Sequence, residues 1–254
     1  KGDLLMNGFI SVDKIKLLEG DFKESQMVGL EYILAFDVDR LLAPCFEVQG
    51  LEVPNGAERY EGWEAKAVHN WGDENFTLAG HSLGHWLSAA AITYKATGKD
   101  ELKERLDYAV SQLAIIQMKT GSGYIGGINV ETFEKLFEGN ISNWSNGYWV
   151  PWYGVHKIFQ GLIDVYKYTD NQQALEVVIK FTNWAREGTE NLSNQQMQKM
   201  LDVEHGGMND SFAQLYGITG NEDYLALARR FSHDRILSPL TKHKDELTGL
   251  HANT

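Results

Sequence analysis

The stretch Thr77-Leu-Ala-Gly80-His81-Ser-Leu-Gly84-His85-Trp-Leu-Ser-Ala-Ala-Ala91 decides the reading of the chain. It places two histidines at i and i+4 where a glycine-bearing loop turns into a helix, so both imidazoles share one face. Leu83, Leu87 and Ala90 follow at helical spacing on the neighbouring stripe, which makes the helix largely buried behind a polar and aromatic first turn. One such histidine pair reads as satisfied core side chains. The pattern gains weight because related stretches recur at 149–156 and 204–209, each opening a helix.

Outward from this stretch, the chain is periodic. Helices are expected over 83–97 and 100–117, 155–169 and 172–187, and 209–219 and 222–236. The first helix of each pair ends alike, in Tyr94-Lys-Ala-Thr97-Gly98, Tyr166-Lys-Tyr-Thr169-Asp170 and Tyr216-Gly-Ile-Thr219-Gly220. Tyr-x-x-Thr followed by Gly or Asp is a helix C-cap running straight into a new helix start, so the chain is an internal repeat of helical hairpins. Before the repeats, 12–18 reads as a short strand, 21–36 as a lone helix with Met27, Leu30, Ile33 and Leu34 in register, and 41–59, with Pro44, Gly50, Pro54 and Gly56, as an ordered loop.

Stacked hairpins form either an open solenoid or a closed ring with first helices inside. The long linkers 119–151 and 188–207, rich in Gly, Asn and aromatic residues, favour the ring, because long ordered loops on one rim carry function. The expected fold is therefore all-α: the N-terminal portion of an (α/α)6 toroid of about seven long helices, incomplete as supplied, with residues 1–254 forming one part-barrel. The first helices all start at the same end. His81, His85, His156 in Trp149-Val-Pro-Trp-Tyr-Gly-Val-His156, Glu204 and Asn209 in Glu204-His-Gly-Gly-Met-Asn209, and His251 in a last such stretch thus gather at one mouth. Trp63, beside Glu64, and Trp152 are candidate walls. His85, one turn deeper than His81, is the better candidate for a core histidine, and Glu204 also reads as a cap for the helix that follows it.

Composition limits the partners. A net charge of −12 argues against nucleic acid and anionic membrane surfaces, and seven Trp with eleven Tyr suit stacking on sugars. Membrane insertion is not expected, since no apolar run nears the roughly 20 residues a span requires. The one cysteine, Cys45, cannot form an internal disulfide or a cysteine-rich metal site, and its loop position reads as a packed thiol. A trimmed start at Lys1 would favour the periplasm or the extracellular space; the cytoplasm stays open.

Several segments, in order along nearly the whole chain, resemble the β-L-arabinofuranosidases of glycoside hydrolase family 127. They are Leu17-Leu-Glu-Gly-Asp-Phe22, Asp37-Val-Asp-Arg-Leu-Leu42, Gly62-Trp-Glu64, Gly80-His-Ser-Leu-Gly-His85, Trp149 to Lys157, Glu204 to Asn209 and Gly249-Leu-His-Ala-Asn-Thr254. The resemblance implies an (α/α)6 barrel with β-sandwich domains in the full protein, and exo-acting release of L-arabinofuranose from plant glycans with retention of configuration. It also implies a cysteine nucleophile in a zinc site and a glutamate acid/base. None of those catalytic or metal positions matches a residue here, so they are expected after Thr254, leaving this chain the sugar-binding side and no activity alone. Other readings of the residues stay open: another toroid sugar enzyme, such as an unsaturated glucuronyl hydrolase or an epimerase working through Glu204 or Asp210, or a helical-repeat binding module without chemistry.

Overall fold

A computed structural model describes residues 10–66, 77–140, 150–204, 207–246 and 248–249. The described residues form eleven α-helices and no strand: α1 (Asp21–Leu34), α2 (Val38–Glu47), α3 (His81–Thr97), α4 (Asp100–Thr120), α5 (Glu131–Phe137), α6 (Pro151–Thr169), α7 (Gln172–Thr189), α8 (Asn194–Val203), α9 (Met208–Thr219), α10 (Glu222–Arg230) and α11 (Asp234–Thr241).

The three repeated turns are built as their residues dictate. Gly98, Asp170 and Gly220 sit in the left-handed region at φ 68°, 57° and 70°, each returning its N–H to the carbonyl of Tyr94, Tyr166 or Tyr216. Thr97, Thr169 and Thr219 bond back to the carbonyl four residues earlier at 2.7–2.8 Å. The helix therefore stops within one residue, and the next begins two residues on.

α3, α6 and α9 form an inner layer, and their side-by-side register shows that they run parallel. Gly84 lies against Lys157 and Ile158, Gly161 against Gly84 and Leu87, and Ser88 bonds Asp164, so position rises together along α3 and α6. A Cβ at Gly84 would stand 2.0 Å from the Lys157 carbonyl carbon; here two helix backbones touch because one side chain is missing. The same rise holds between α6 and α9, where His156 meets Gly207 and Gln160 meets Ser211 and Gln214. The outer helices follow suit: Asn171, the N-cap of α7, reaches Asp107 of α4, and Gln117, ten residues further on, reaches the Val177 carbonyl. Arg230 ends α10 on the carbonyls of Thr189 and Leu192.

Between the layers lies an aromatic core. Phe159 stacks on Phe181 at 3.9 Å, and Trp184, Phe133, Phe212 and Phe231 close around them. Each fully buried Leu or Phe contributes about 2 kcal/mol through removal from water.

Four sequence expectations need correction. Residues 12–18 make a single 3₁₀ turn (Val12–Lys14) instead of a strand. The segment 41–59 is not all loop: its first part is α2, capped by the Asp37 carboxylate on the N–H of Asp39 and burying Leu41, Leu42, Ala43, Cys45 and Phe46. Pro44 costs one backbone bond inside that helix, but burial of the apolar face outweighs it. The supposed lone helix is followed at once by α2, which packs against α3 and α4, while α1 is tied to α3 by the Trp86 indole on the Ile33 carbonyl. The helix read over 222–236 breaks at 231–233, where His233 turns to Asp202 and the Asp234 N–H to Gln198, both from α8.

Candidate functional site

Parallel inner helices bring three N-termini to one end, and a buried glutamate finishes each of the first two. α3 begins at Gly80, with Glu64 beneath it on the 3₁₀ turn Gly62–Glu64. The Glu64 carboxylate is buried and accepts from the N–H of Gly80 at 2.6 Å, the N–H of Ser82 at 2.9 Å and His81 Nδ1 at 2.9 Å. Arg59 fixes this turn from behind, holding the Glu64 carbonyl at 3.1 Å and the Glu47 carboxylate at 2.6 Å. Burial pushes the Glu64 carboxyl up, but the His81 ring and the two N–H donors outweigh it and hold the group below its usual range.

The α6 N-terminus, opened by Pro151, is capped by Glu204 from the end of α8, which accepts the Tyr153 N–H at 2.6 Å. Burial lifts this carboxyl to about 8, against the downward pull of the Tyr153 and Trp152 N–H groups. The folded protein thus holds this proton far more tightly than the unfolded chain, whose value is near 4.5. Stability should therefore be full in mild acid and decline as pH rises towards about 8. Glu204→Gln keeps an acceptor for Tyr153 and should flatten that decline; urea unfolding of both proteins across this range checks it, and an unchanged slope would be a contrary result.

Around these caps lie the side chains of the mouth. His85 is exposed and stands edge-on to His81, ring centroids 5.7 Å apart; Tyr153 lies 6.1 Å from His81. The Lys157 ammonium sits 4.6 Å above the Tyr153 ring. His156 is half-buried against the backbone of Gly207, where a side chain would strike its ring at 2.4 Å. Partial burial, then the Lys157 charge, lowers the pKa of both His85 and His156, the latter to about 4, so both rings are neutral at physiological pH. Deeper in, Ser88 and Gln160 hold the Asp164 carboxylate at 2.7 and 3.0 Å, while Ser211 and Gln214 bond Gln160, linking the three inner helices by side chains.

Several expected roles change with this geometry. His81, not His85, is the buried member of the pair, because the 62–66 turn covers the first turn of α3 and leaves the second open. Trp152 is no wall: it is 3% exposed, packs on Phe133 and Phe231, and donates to Met200 Sδ at 3.1 Å. Glu204 caps α6 and not the helix after it, and its burial removes it from the mouth. Trp63 is 49% exposed. Asn209 is half-buried on the first turn of α9, and Asp210 beside it is exposed and accepts from Gln214 at 2.7 Å. His251 lies outside the described residues. The carboxylate of Glu64 was missed as a cap; a glutamate sixteen residues upstream of a glycine leaves no local signature.

The described residues build no zinc site. No group of three or more His, Cys, Asp and Glu among them could hold a metal, and Cys45 is buried within α2, its thiol pushed up far above the ordinary range by burial and by Glu64. What the mouth does offer is two neutral imidazoles, each able to donate and accept, beside an aromatic face and an ammonium, a set suited to hydroxyl groups.

Parallel inner helices with an antiparallel outer partner each, and a polar rim where the inner ones begin, define an (α/α) toroid. The fold is shared with a GH127 β-L-arabinofuranosidase from Geobacillus stearothermophilus T6, at a TM-score of 0.54 and 12% identity over 93% of this chain. The chain spans 36% of that protein's length. The chain belongs to the β-L-arabinofuranosidase GH127 catalytic domain family, whose profile matches residues 14–254. A search of curated proteins gave no match.

Proposed function

We propose that the protein is a glycoside hydrolase that releases L-arabinofuranose from plant-derived glycans with retention of configuration, and that this chain supplies its sugar-binding side. The observation that carries the reading is the meeting of neutral His85 and His156, from two different inner helices, at one mouth in a chain of this family. His85, His156, Asn209 and the exposed Trp63 face the sugar in this reading; His251 joins them by its place in the last repeated stretch. The nucleophilic cysteine, its zinc and the acid/base glutamate belong to parts of the protein other than the described residues.

The toroid alternatives lose ground on one point. They drew their catalysis from Glu204 or Asp210, and Glu204 is sealed behind α6 with both its roles taken by backbone N–H groups and packing. The test is hydrolysis of 4-nitrophenyl β-L-arabinofuranoside by the full-length protein. His85→Ala and His156→Ala should each lower kcat/KM by about 10- to 100-fold, the scale of one or two lost hydrogen bonds in a closed site. Unchanged kinetics in both variants would remove the mouth from the reaction.

A further inference from the structure

The histidine least exposed to the mouth is also the one whose hydrogen is placed by its surroundings. His81 Nδ1 lies 2.8 Å from the Leu78 carbonyl and 2.9 Å from Glu64 Oε1. Neither partner can donate: one is a backbone carbonyl, the other a carboxylate already gathering two backbone N–H groups and kept ionised by them. Nδ1 therefore carries the hydrogen, and in the neutral ring the lone pair is on Nε2. Nε2 lies at the opposite edge of the ring, away from Glu64, and has no hydrogen-bond partner among the described residues. The ring keeps 11% side-chain exposure, beside exposed His85 and the Tyr153 ring.

We propose that His81 is an acceptor-only position of the sugar site, taking the hydrogen of one substrate hydroxyl on Nε2, and that Glu64 is the positioning residue that fixes this polarity. The inference rests on the sugar-binding reading above and adds a rule to it. His85 and His156 are not held this way and serve a hydroxyl in either sense. At His81 the hydroxyl must donate, so a group that only accepts leaves the Nε2 lone pair facing another lone pair. A fluorine at that sugar position, close to a hydroxyl in size but without a hydrogen to donate, is disfavoured.

The polarity itself is measurable without substrate. Ring nitrogen shifts of histidine-labelled full-length protein, with His81→Asn used to assign the signal, should show His81 as the Nδ1–H form with a bare Nε2. A hydrogen on Nε2, whether in the Nε2–H form or in the doubly protonated ring, would overturn the proposal. His81→Asn also separates support from recognition, because its amide stands near the Nδ1 position and can still donate to Glu64 and Leu78 while Nε2 is gone. Against 4-nitrophenyl β-L-arabinofuranoside and its 2-, 3- and 5-deoxyfluoro analogues, the wild type should discriminate against one analogue by about tenfold or more beyond the other two. His81→Asn should lose that discrimination and keep its thermal midpoint within a few degrees. Equal discrimination in both proteins would make His81 a structural residue and overturn the proposal. Should the parent arabinoside be inert with wild-type protein while the ring is Nδ1–H, the arabinofuranosidase reading fails and the acceptor polarity of His81 stands.

Discussion

Gly84→Ala should destabilise the protein by about 3 kcal/mol or more, or prevent folding outright. The added methyl would stand 2.0 Å from the Lys157 carbonyl carbon and 2.2 Å from its oxygen, and neither is the movable end of a side chain. Relief requires moving α3 from α6 along their whole shared face, which also pulls apart the Gly161–Leu87 contact and the Ser88–Asp164 bond. Gly29→Ala is the control: this glycine is inside α1 with nothing within 4 Å of the added carbon. There the same substitution should stabilise by about 0.5–1 kcal/mol, because alanine loses less backbone freedom on entering a helix. Thermal and urea unfolding of the two variants read the contrast; a Gly84→Ala protein as stable as wild type would mean that the inner helices do not meet backbone to backbone.

Glu64→Ala is the second large effect, expected at about 3 kcal/mol. It strands the N–H groups of Gly80 and Ser82, each worth about 1–3 kcal/mol when buried without a partner, and removes one of the two acceptors on His81. Glu64→Gln should fall between, since an amide satisfies one of those donors while turning its own NH₂ towards another. The pH dependence distinguishes this carboxylate from Glu204. Glu64 is held below its ordinary value, so its contribution is complete at neutral pH and is lost only as acid protonates it. Glu204 acts in the opposite sense, weakening the fold as pH rises towards 8. Urea titrations at several pH values distinguish the two, and a Glu64→Ala loss below about 1 kcal/mol would show that the α3 N-terminus is finished by some other group.

The hairpins were legible because their signal is local. Tyr-x-x-Thr with a following Gly or Asp states where a helix stops, and each of the three turns forms as its letters require. What escaped the sequence was non-local or contrary to a local rule. Pro44 argued against a helix that burial of Leu41, Leu42 and Phe46 nevertheless stabilises. The end of α10 is set by α8, through Gln198 and Asp202, and no periodicity within 222–236 could announce that. The shared face of His81 and His85 was readable from their spacing. Which of them is covered depends on the 62–66 turn, and so on Arg59, Glu47 and Thr77 anchoring it. Trp152 illustrates the same gap: its position beside the mouth was apparent, but its side chain turns between the layers to Phe133, Phe231 and Met200.

The most direct test of the account is a crystal structure of the full-length protein with L-arabinofuranose or an unhydrolysed arabinofuranoside bound. The sugar should lie over the N-termini of α3, α6 and α9, with hydroxyl oxygens within hydrogen-bond distance of His85 and His156. A sugar bound at the opposite end of the inner helices, or on the outer layer, would contradict the claim that this mouth is where the protein meets its substrate.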